Sequence, residues 1–267
     1  MSLPRSRQGW IFGVDTSAAQ GRLDVPALVN EGASFAFHKA TEGLHDIDPQ
    51  WTTSARASLA TGLPFGPYGV LSSYGPKFAA AQARHFVEVA KDSGATLPPG
   101  LDFELARGLT ASAAILAARI WLDEVENALG LRCMVYTGPA FIEDLARLAT
   151  QDVAADLAAI ATRPLWLAHY TGSVDRPPRV PRWWDNWTLW QESGGRAESR
   201  DASTLPNSST YVDVDWFRGE VTDLEALAVK APQVAQVAQV ATTCECGRPR
   251  HPLGRFCESC ADKAWGE

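Results

Sequence analysis

The chain has 267 residues, 46% of them hydrophobic and 21% charged, enough for one large domain with a small appendage. Its net charge of −7 excludes the basic field of a general nucleic-acid binder, and no stretch approaches the roughly 18 apolar residues of a membrane span. The opening "MSLPRSRQGWIFGVD" carries two arginines but no long apolar run, so synthesis in the cytoplasm without an export signal is expected.

Short apolar runs then recur along the chain. Strands are predicted at 10–15 (WIFGVD), 34–40, 65–71, 100–104 (GLDFE), 133–137, 165–170, 188–192 and 211–217. Helices are predicted between the early ones. Residues 24–32 have Pro26 in the first turn and end at Gly32; 76–94 are Ala-rich and end at Gly94; 110–130 start at a Thr110 N-cap and end at Gly130. In the last, Ile115, Ala118, Leu122, Val125 and Leu129 make one apolar stripe at 3–4 spacing. Strand and helix in alternation argue for a parallel sheet, and eight strands over this length fit a barrel. The last three strands lack clear intervening helices, so the barrel's end should be irregular.

The strand ends carry the chemistry. They bring Asp15, Lys39 with Glu42, Tyr68, Asp102 with Glu104, Tyr136, Tyr170, Gln191 and Asp213 to one rim, and an α/β barrel builds its active site there. Asp102 and Glu104 are two apart on a strand, so both point to one face. Alone they could be a solvated edge pair, and Asp15 could cap the segment that follows it. Lys39 and Glu42 read better as a rim ion pair than as catalysts. His38, His85 and His169 read as packing residues, and without a His-Glu-x-x-His pattern no catalytic zinc is expected. Trp183, Trp184, Trp187 and Trp190 divide between core and cleft wall.

After about residue 230 the character changes. Residues 231–243 repeat Gln-Val-Ala three times and read as a low-complexity linker. Residues 244–267 hold Cys244, Cys246, Cys257 and Cys260, with His251 between the pairs. Four thiols can satisfy a tetrahedral zinc in a ribbon-like module. Zinc is preferred over two disulfides or free thiols, because so small a module needs a staple. Cys133 stands alone and reads as a buried apolar residue.

The pieces "GVDTSAAQG" (13–21), "HKATEG" before Asp48 (38–43), "GLPFGPYG" (62–69), "AQARHF" (81–86), "LPPGLDFE" (97–104), "VYTGPAF" (135–141), "LWLAHY" (165–170), "LWQES" (189–193) and "YVDVDWF" (211–217), in that order, resemble the family 25 glycoside hydrolases. These are the Chalaropsis-type lysozymes, common as phage endolysins and bacterial autolysins. The resemblance covers residues 9–217 and implies an irregular TIM-like (β/α)5β3 barrel over residues 1–230. It implies Glu104 as acid/base, with Asp15, Asp102 and Asp213 as the other active-site carboxylates. It places Tyr68, Tyr170 and Gln191 along a sugar cleft, where Tyr136, Lys39 and Glu42 are also expected to bind substrate. Two positions depart from the family pattern. Tyr68-Gly69-Val70 stands for the common Tyr-His-Phe, and Asp215 replaces a usual Asn and is expected to sit outside the pocket.

Hydrolysis of a glycosidic bond needs one carboxylic acid on the leaving oxygen and other groups facing an oxocarbenium-like transition state. An ionised Asp102 beside Glu104 would keep Glu104 protonated. Attack by the substrate's own acetamide, covalent catalysis by an Asp and inversion through water all stay open. The resemblance thus implies a cofactor-free N-acetylmuramidase acting on peptidoglycan after release from the cytoplasm, expected to be a monomer with zinc only in its tail. The competing readings are a non-catalytic carbohydrate-binding barrel and a glycosidase of chitin-like polymers.

Overall fold

The computed structural model describes residues 9–171, 175–194, 203–204 (backbone only) and 211–228. The predicted linker and the Cys244, Cys246, Cys257 and Cys260 module lie outside the described residues.

Eight strands close a barrel: β1 Trp10–Thr16, β2 Phe35–Glu42, β4 Phe65–Val70, β5 Gly100–Asp102, β6 Met134–Thr137, β7 Leu165–Ala168, β8 Leu189–Ser193 and β10 Tyr211–Arg218. Each predicted strand is present within a few residues. Neighbours from β1 through β2 and β4 to β8 pair in parallel. The expectation of a wholly parallel sheet fails at β10, which runs antiparallel to both β8 and β1. Near its start, Val214 pairs with Ser193 at the end of β8, so β10 descends from the rim that β8 reaches. Two short strands lie outside the ring. β3 (Asp46–Ile47) makes a hairpin with β2, and β9 (Ser203–Thr204) pairs with the start of β10.

Five helical connections precede the irregular end. They are α1 Val25–Asn30, α2 Trp51–Thr61, α3 Pro76–Ala90, α4 Ala111–Leu129, and α5 Pro139–Leu148 followed by α6 Ala154–Ile160. The predicted starts hold: Asp24 accepts from the Ala27 N–H at 3.1 Å, and Thr110 from the Ala113 N–H at 3.2 Å, each satisfying a donor the helix leaves free. After β10, α7 Val221–Glu225 packs its buried Leu224 among the barrel's interior residues.

Alternation along the strands sorts two cores. The outward set packs against the helices and includes Phe12, Val14, Leu101, Trp190 and Trp216. The inward set fills the barrel with Phe35, Phe37, Tyr68, Met134, Tyr136, Trp166, Leu189 and Phe217. Glycine makes room for these rings. A Cβ on Gly13 would lie 2.3 Å from Phe35 Cδ2, and one on Gly66 2.5 Å from Phe37 Cε1. The Trp cluster settles as core: Trp184, Trp187 and Trp190 are buried, and Trp10 meets Trp187 and Trp216 edge-on at 5.2 and 6.0 Å. Trp183 is partly buried under the Arg182 guanidinium.

The pole opposite the strand C-termini is held by a buried ion network. Arg163, just before β7, donates to Glu126 through Nε at 3.0 Å and Nη2 at 2.7 Å, and to Asp123 at 2.8 Å. Glu126 also accepts the Cys133 N–H at 3.0 Å. Cys133 itself is buried. A buried pair survives where its remaining polar atoms are also satisfied, and here α4 is tied to the starts of β6 and β7.

Candidate active site

At the upper rim β1, β5, β6, β7, β8 and β10 bring their polar residues into one layer. The register sets Asp15 opposite Asp213, Asp102 opposite Tyr136, and Asp215 opposite Gln191. Because β10 descends, Asp213 reaches the rim from the beginning of its strand. Its Oδ2 accepts from the Gln20 Nε2 of the turn after β1 at 3.3 Å.

Gln191 is the hub. Its Oε1 accepts from the hydroxyls of Tyr136 at 2.9 Å and Tyr170 at 2.7 Å, and its Nε2 donates to Asp15 Oδ2 at 2.6 Å. Two hydroxyl donors on Oε1 fix the amide's orientation, because an ionised or neutral Asp15 oxygen needs the N–H side. Tyr136 is buried, whereas Tyr170 is 47% exposed and offers an aromatic face at the cleft edge. Tyr68 is buried and stands edge-on to Trp166 at 5.8 Å, so it forms floor more than wall. Burial first, then the facing Asp15, Asp102, Asp213 and Asp48, push its phenol upward.

β5 ends at Asp102, two residues short of the predicted strand, and Glu104 follows it close enough for its charge to act on Asp102. Phe103 between them is fully buried, packing edge-on against Phe141 at 5.2 Å in the outer core. Glu104 is exposed and Asp102 half-buried. Asp102 Oδ1 is buried without a hydrogen-bond partner. Burial, then the Glu104 charge, hold the Asp102 carboxyl well above the usual carboxylate range, with Lys39 opposing. The penalty on charge therefore falls on Asp102 itself, against the expectation of an ionised Asp102 beside a protonated Glu104. Lys39 and Glu42 form the expected ion pair at the rim, with Lys39 close enough to act on Asp102.

Below this layer lies a residue that sequence reasoning misplaced. Asp215 is inside the barrel and fully buried, not outside the pocket. Its Oδ1 accepts from Trp166 Nε1 at 2.6 Å. Burial pushes its carboxyl up to about 7. Burial and then Asp215 raise Asp15 well above its ordinary value, opposed by the Gln191 amide. The signal was available: Asp213 and Asp215 are two apart on one strand and must share a face.

The remaining candidates support the frame. His38 lies outside the barrel wall between Thr16 at 2.8 Å and Ser58 at 2.9 Å, and burial lowers its imidazole to about 3, so it stays neutral. His169 accepts the Arg179 N–H at 2.9 Å, and His85 meets the Asp46 carbonyl at 3.3 Å. Asp48 accepts the N–H groups of Ala18 and Gln50, each at 2.8 Å, tying the hairpin beyond β2 to the turn after β1. Among the described residues, no group of three or more His, Cys, Asp or Glu is arranged to hold a metal.

Residues 14–197 match the family model "Glycosyl hydrolases family 25". The chain is 27% identical over 229 residues to the N,O-diacetylmuramidase of Chalaropsis sp, covering 82% of this chain and 99% of that one. It is 30% identical over 227 residues to the uncharacterized protein YegX of Escherichia coli K12, covering 81% and 72%. The solved family 25 lysozyme of Aspergillus fumigatus superposes with a TM-score of 0.65 at 25% identity, over 82% of this chain and 99% of that one.

Proposed function

The chain belongs to glycosyl hydrolase family 25 and is a glycoside hydrolase, and from that premise we propose that it is an N-acetylmuramidase. It cleaves the β-1,4 bond between N-acetylmuramic acid and N-acetylglucosamine in bacterial peptidoglycan. The observation that carries this reading is the gathering of Asp15, Asp102, Glu104 and Asp213 at one barrel rim, with Asp15 opposite Asp213 and held by the Gln191 amide. On this reading Glu104, exposed to solvent, gives a proton to the leaving oxygen and takes one back from water. Asp15 and Asp213 face the positive charge that develops at the anomeric carbon. The orphaned Asp102 Oδ1 is an acceptor looking for a donor, and the substrate's acetamide N–H is one. Tyr170 supplies a stacking face for a pyranose ring, and Lys39 with Glu42 borders the same cleft.

Digestion of purified murein followed by reduction of the new ends tests the assignment. Reduced muramic acid is expected. Reduced glucosamine would replace muramidase by glucosaminidase, release from chitin oligomers alone would favour a glycosidase of chitin-like polymers, and no new ends would leave a carbohydrate-binding barrel.

The biological setting we propose is a phage endolysin, made in the host cytoplasm and acting on the wall after release. Expression in a bacterial host should then lyse cells only when a membrane-permeabilising protein is co-expressed. The thiols of Cys244, Cys246, Cys257 and Cys260 support a structural zinc in a module joined by the 231–243 linker. One zinc per purified chain, lost on chelation without loss of hydrolysis of soluble murein fragments, is the expected result.

A further inference from the structure

Two buried carboxylates meet inside this barrel. Asp15 spends Oδ2 on the Gln191 amide, and Asp215 spends Oδ1 on the Trp166 indole. Asp215 Oδ2 is buried and finds no donor among the protein's ordinary N–H and O–H groups. What lies beside it is the Asp15 carboxyl: Asp215 stands opposite Gln191 in the sheet, and the Gln191 amide holds Asp15 at 2.6 Å, so the two acids flank one side chain and each acts on the other. Two ionised carboxylates at that range repel and leave both acceptors unsatisfied. One proton between them converts the clash into a strong hydrogen bond.

We propose that Asp15 and Asp215 hold one proton in common, and that Asp215 is the positioning residue that fixes the Asp15 carboxyl and limits the pair to a single negative charge. The surroundings point the same way. Asp213 on the same strand and Glu104 above add negative charge to the pair. Asp102 lies farther round the rim, with Lys39 and Glu42 acting on it. The phenols of Tyr68, Tyr136 and Tyr170 stay neutral, raised by burial and by these same acids. No cation is hydrogen-bonded to Asp15 or Asp215 among the described contacts, so a proton is the charge-balancing group at hand. The consequence for catalysis rests on the muramidase reading; the shared proton does not. On that reading, the floor of the site offers one charge to the developing cation rather than two.

The sign of the linkage follows from the direction of the shifts. A carboxyl whose folded pKa is raised, here from 3.8 to about 7 for Asp215, binds a proton in the folded chain that the unfolded chain has already released. Its stabilisation is therefore present below the lower value and is lost as pH rises through the upper one.

The test compares the full-length wild type with Asp215→Asn and Asp15→Asn. Thermal midpoints are measured from pH 4 to pH 8, and infrared difference spectra at pH 6 in the protonated-carboxyl carbonyl region. In Asp215→Asn the amide N–H donates permanently to Asp15, so the decline of the midpoint with pH should flatten. The gap to wild type should widen by at least about 3 °C between pH 4 and pH 8. The wild type should show an acid carbonyl band that either variant removes. Parallel midpoint curves, or no band difference, would show both carboxylates ionised and overturn the proposal. Failure of Asp215→Asn to fold would also count against it, because the amide offers the same donor in nearly the same volume. Neither readout involves turnover, so an inactive enzyme could still pass it, and an active one could still fail.

Discussion

Replacing Gln191 by Met tests whether the site is held by one hub. Met keeps the length of the side chain and removes all three hydrogen bonds. Their costs differ with exposure. The Tyr136 hydroxyl is buried and would be orphaned, at about 1–3 kcal/mol. The Tyr170 ring is half exposed, so its hydroxyl rehydrates and costs little. Asp15 loses a charge-assisted N–H at 2.6 Å, worth about 1.5–3 kcal/mol. The sum is about 2.5–6 kcal/mol, which for a domain of this size lowers the thermal midpoint by roughly 5–24 °C. Asp15 would also lose the amide that favours its ionised form, so hydrolysis well below the new midpoint should fall by about 10–100-fold. Thermal unfolding and a wall-turbidity assay read both effects. Tyr170→Phe is the control, with an expected cost under about 1 kcal/mol. If Gln191→Met melts within about 2 °C of wild type, or if Tyr170→Phe costs as much as Gln191→Met, the hub is a geometric coincidence.

Four further outcomes follow from the same structure. Glu104→Gln should reduce hydrolysis by at least about 100-fold while its midpoint stays within about 2 °C, since the side chain is exposed; near-normal wall lysis would remove Glu104 from the acid/base role. Arg163→Met should cost about 3–5 kcal/mol in denaturant unfolding by leaving Glu126 buried with only the more distant Arg132 at 3.6 Å, and adding Glu126→Met should recover part of that. Gly13→Ala should cost about 3 kcal/mol, because its Cβ would come within 2.5 Å of both the Phe35 ring and the Phe35 carbonyl, and backbone cannot yield as a flexible side chain does. His38 is lowered from 6.5 to about 3, so its contribution is present above pH 6.5 and lost as pH falls toward 3; His38→Gln should flatten acid unfolding over that window.

The eight strands were legible because apolar runs bounded by turn residues are a strong signal, and a barrel places strand ends together whatever the loops do. The helices read less evenly. α4 announced itself through a Thr cap, an apolar stripe and a terminal Gly. α2 passed unmarked because "WTTSARASLAT" is largely polar and small, and no side chain caps its start. α5 carried a readable cue in Pro139 at its first turn. The direction of β10 was not legible, since a strand's own residues do not encode which way it enters a sheet. Among site residues, Asp15 and Asp102 followed from their positions at strand ends, whereas Asp213 stands near the start of β10 and is at the rim only because that strand runs antiparallel. Trp166, the ring that roofs Asp215 and meets Phe37, Tyr68 and Tyr136, was hidden because "LWLAHY" reads as core on either face. That Gln191 joins two tyrosines to Asp15 needed the register of strands far apart in the chain.

The reversal of β10 also shapes how such a barrel can diversify. Where neighbouring strands both ascend, the connection between them must return to the bottom of the barrel, and its length is tied to that return. Here β8 ends at the rim and β10 begins there, so the connection between them starts and finishes on the catalytic side with no return to make. Insertions or deletions in that stretch act on the side of the barrel where Tyr170 and Asp213 lie, while the parallel strands and their helices keep their lengths. Substrate range and folding are thereby encoded in separable parts of the chain, which lets the one drift under selection while the other is conserved by packing.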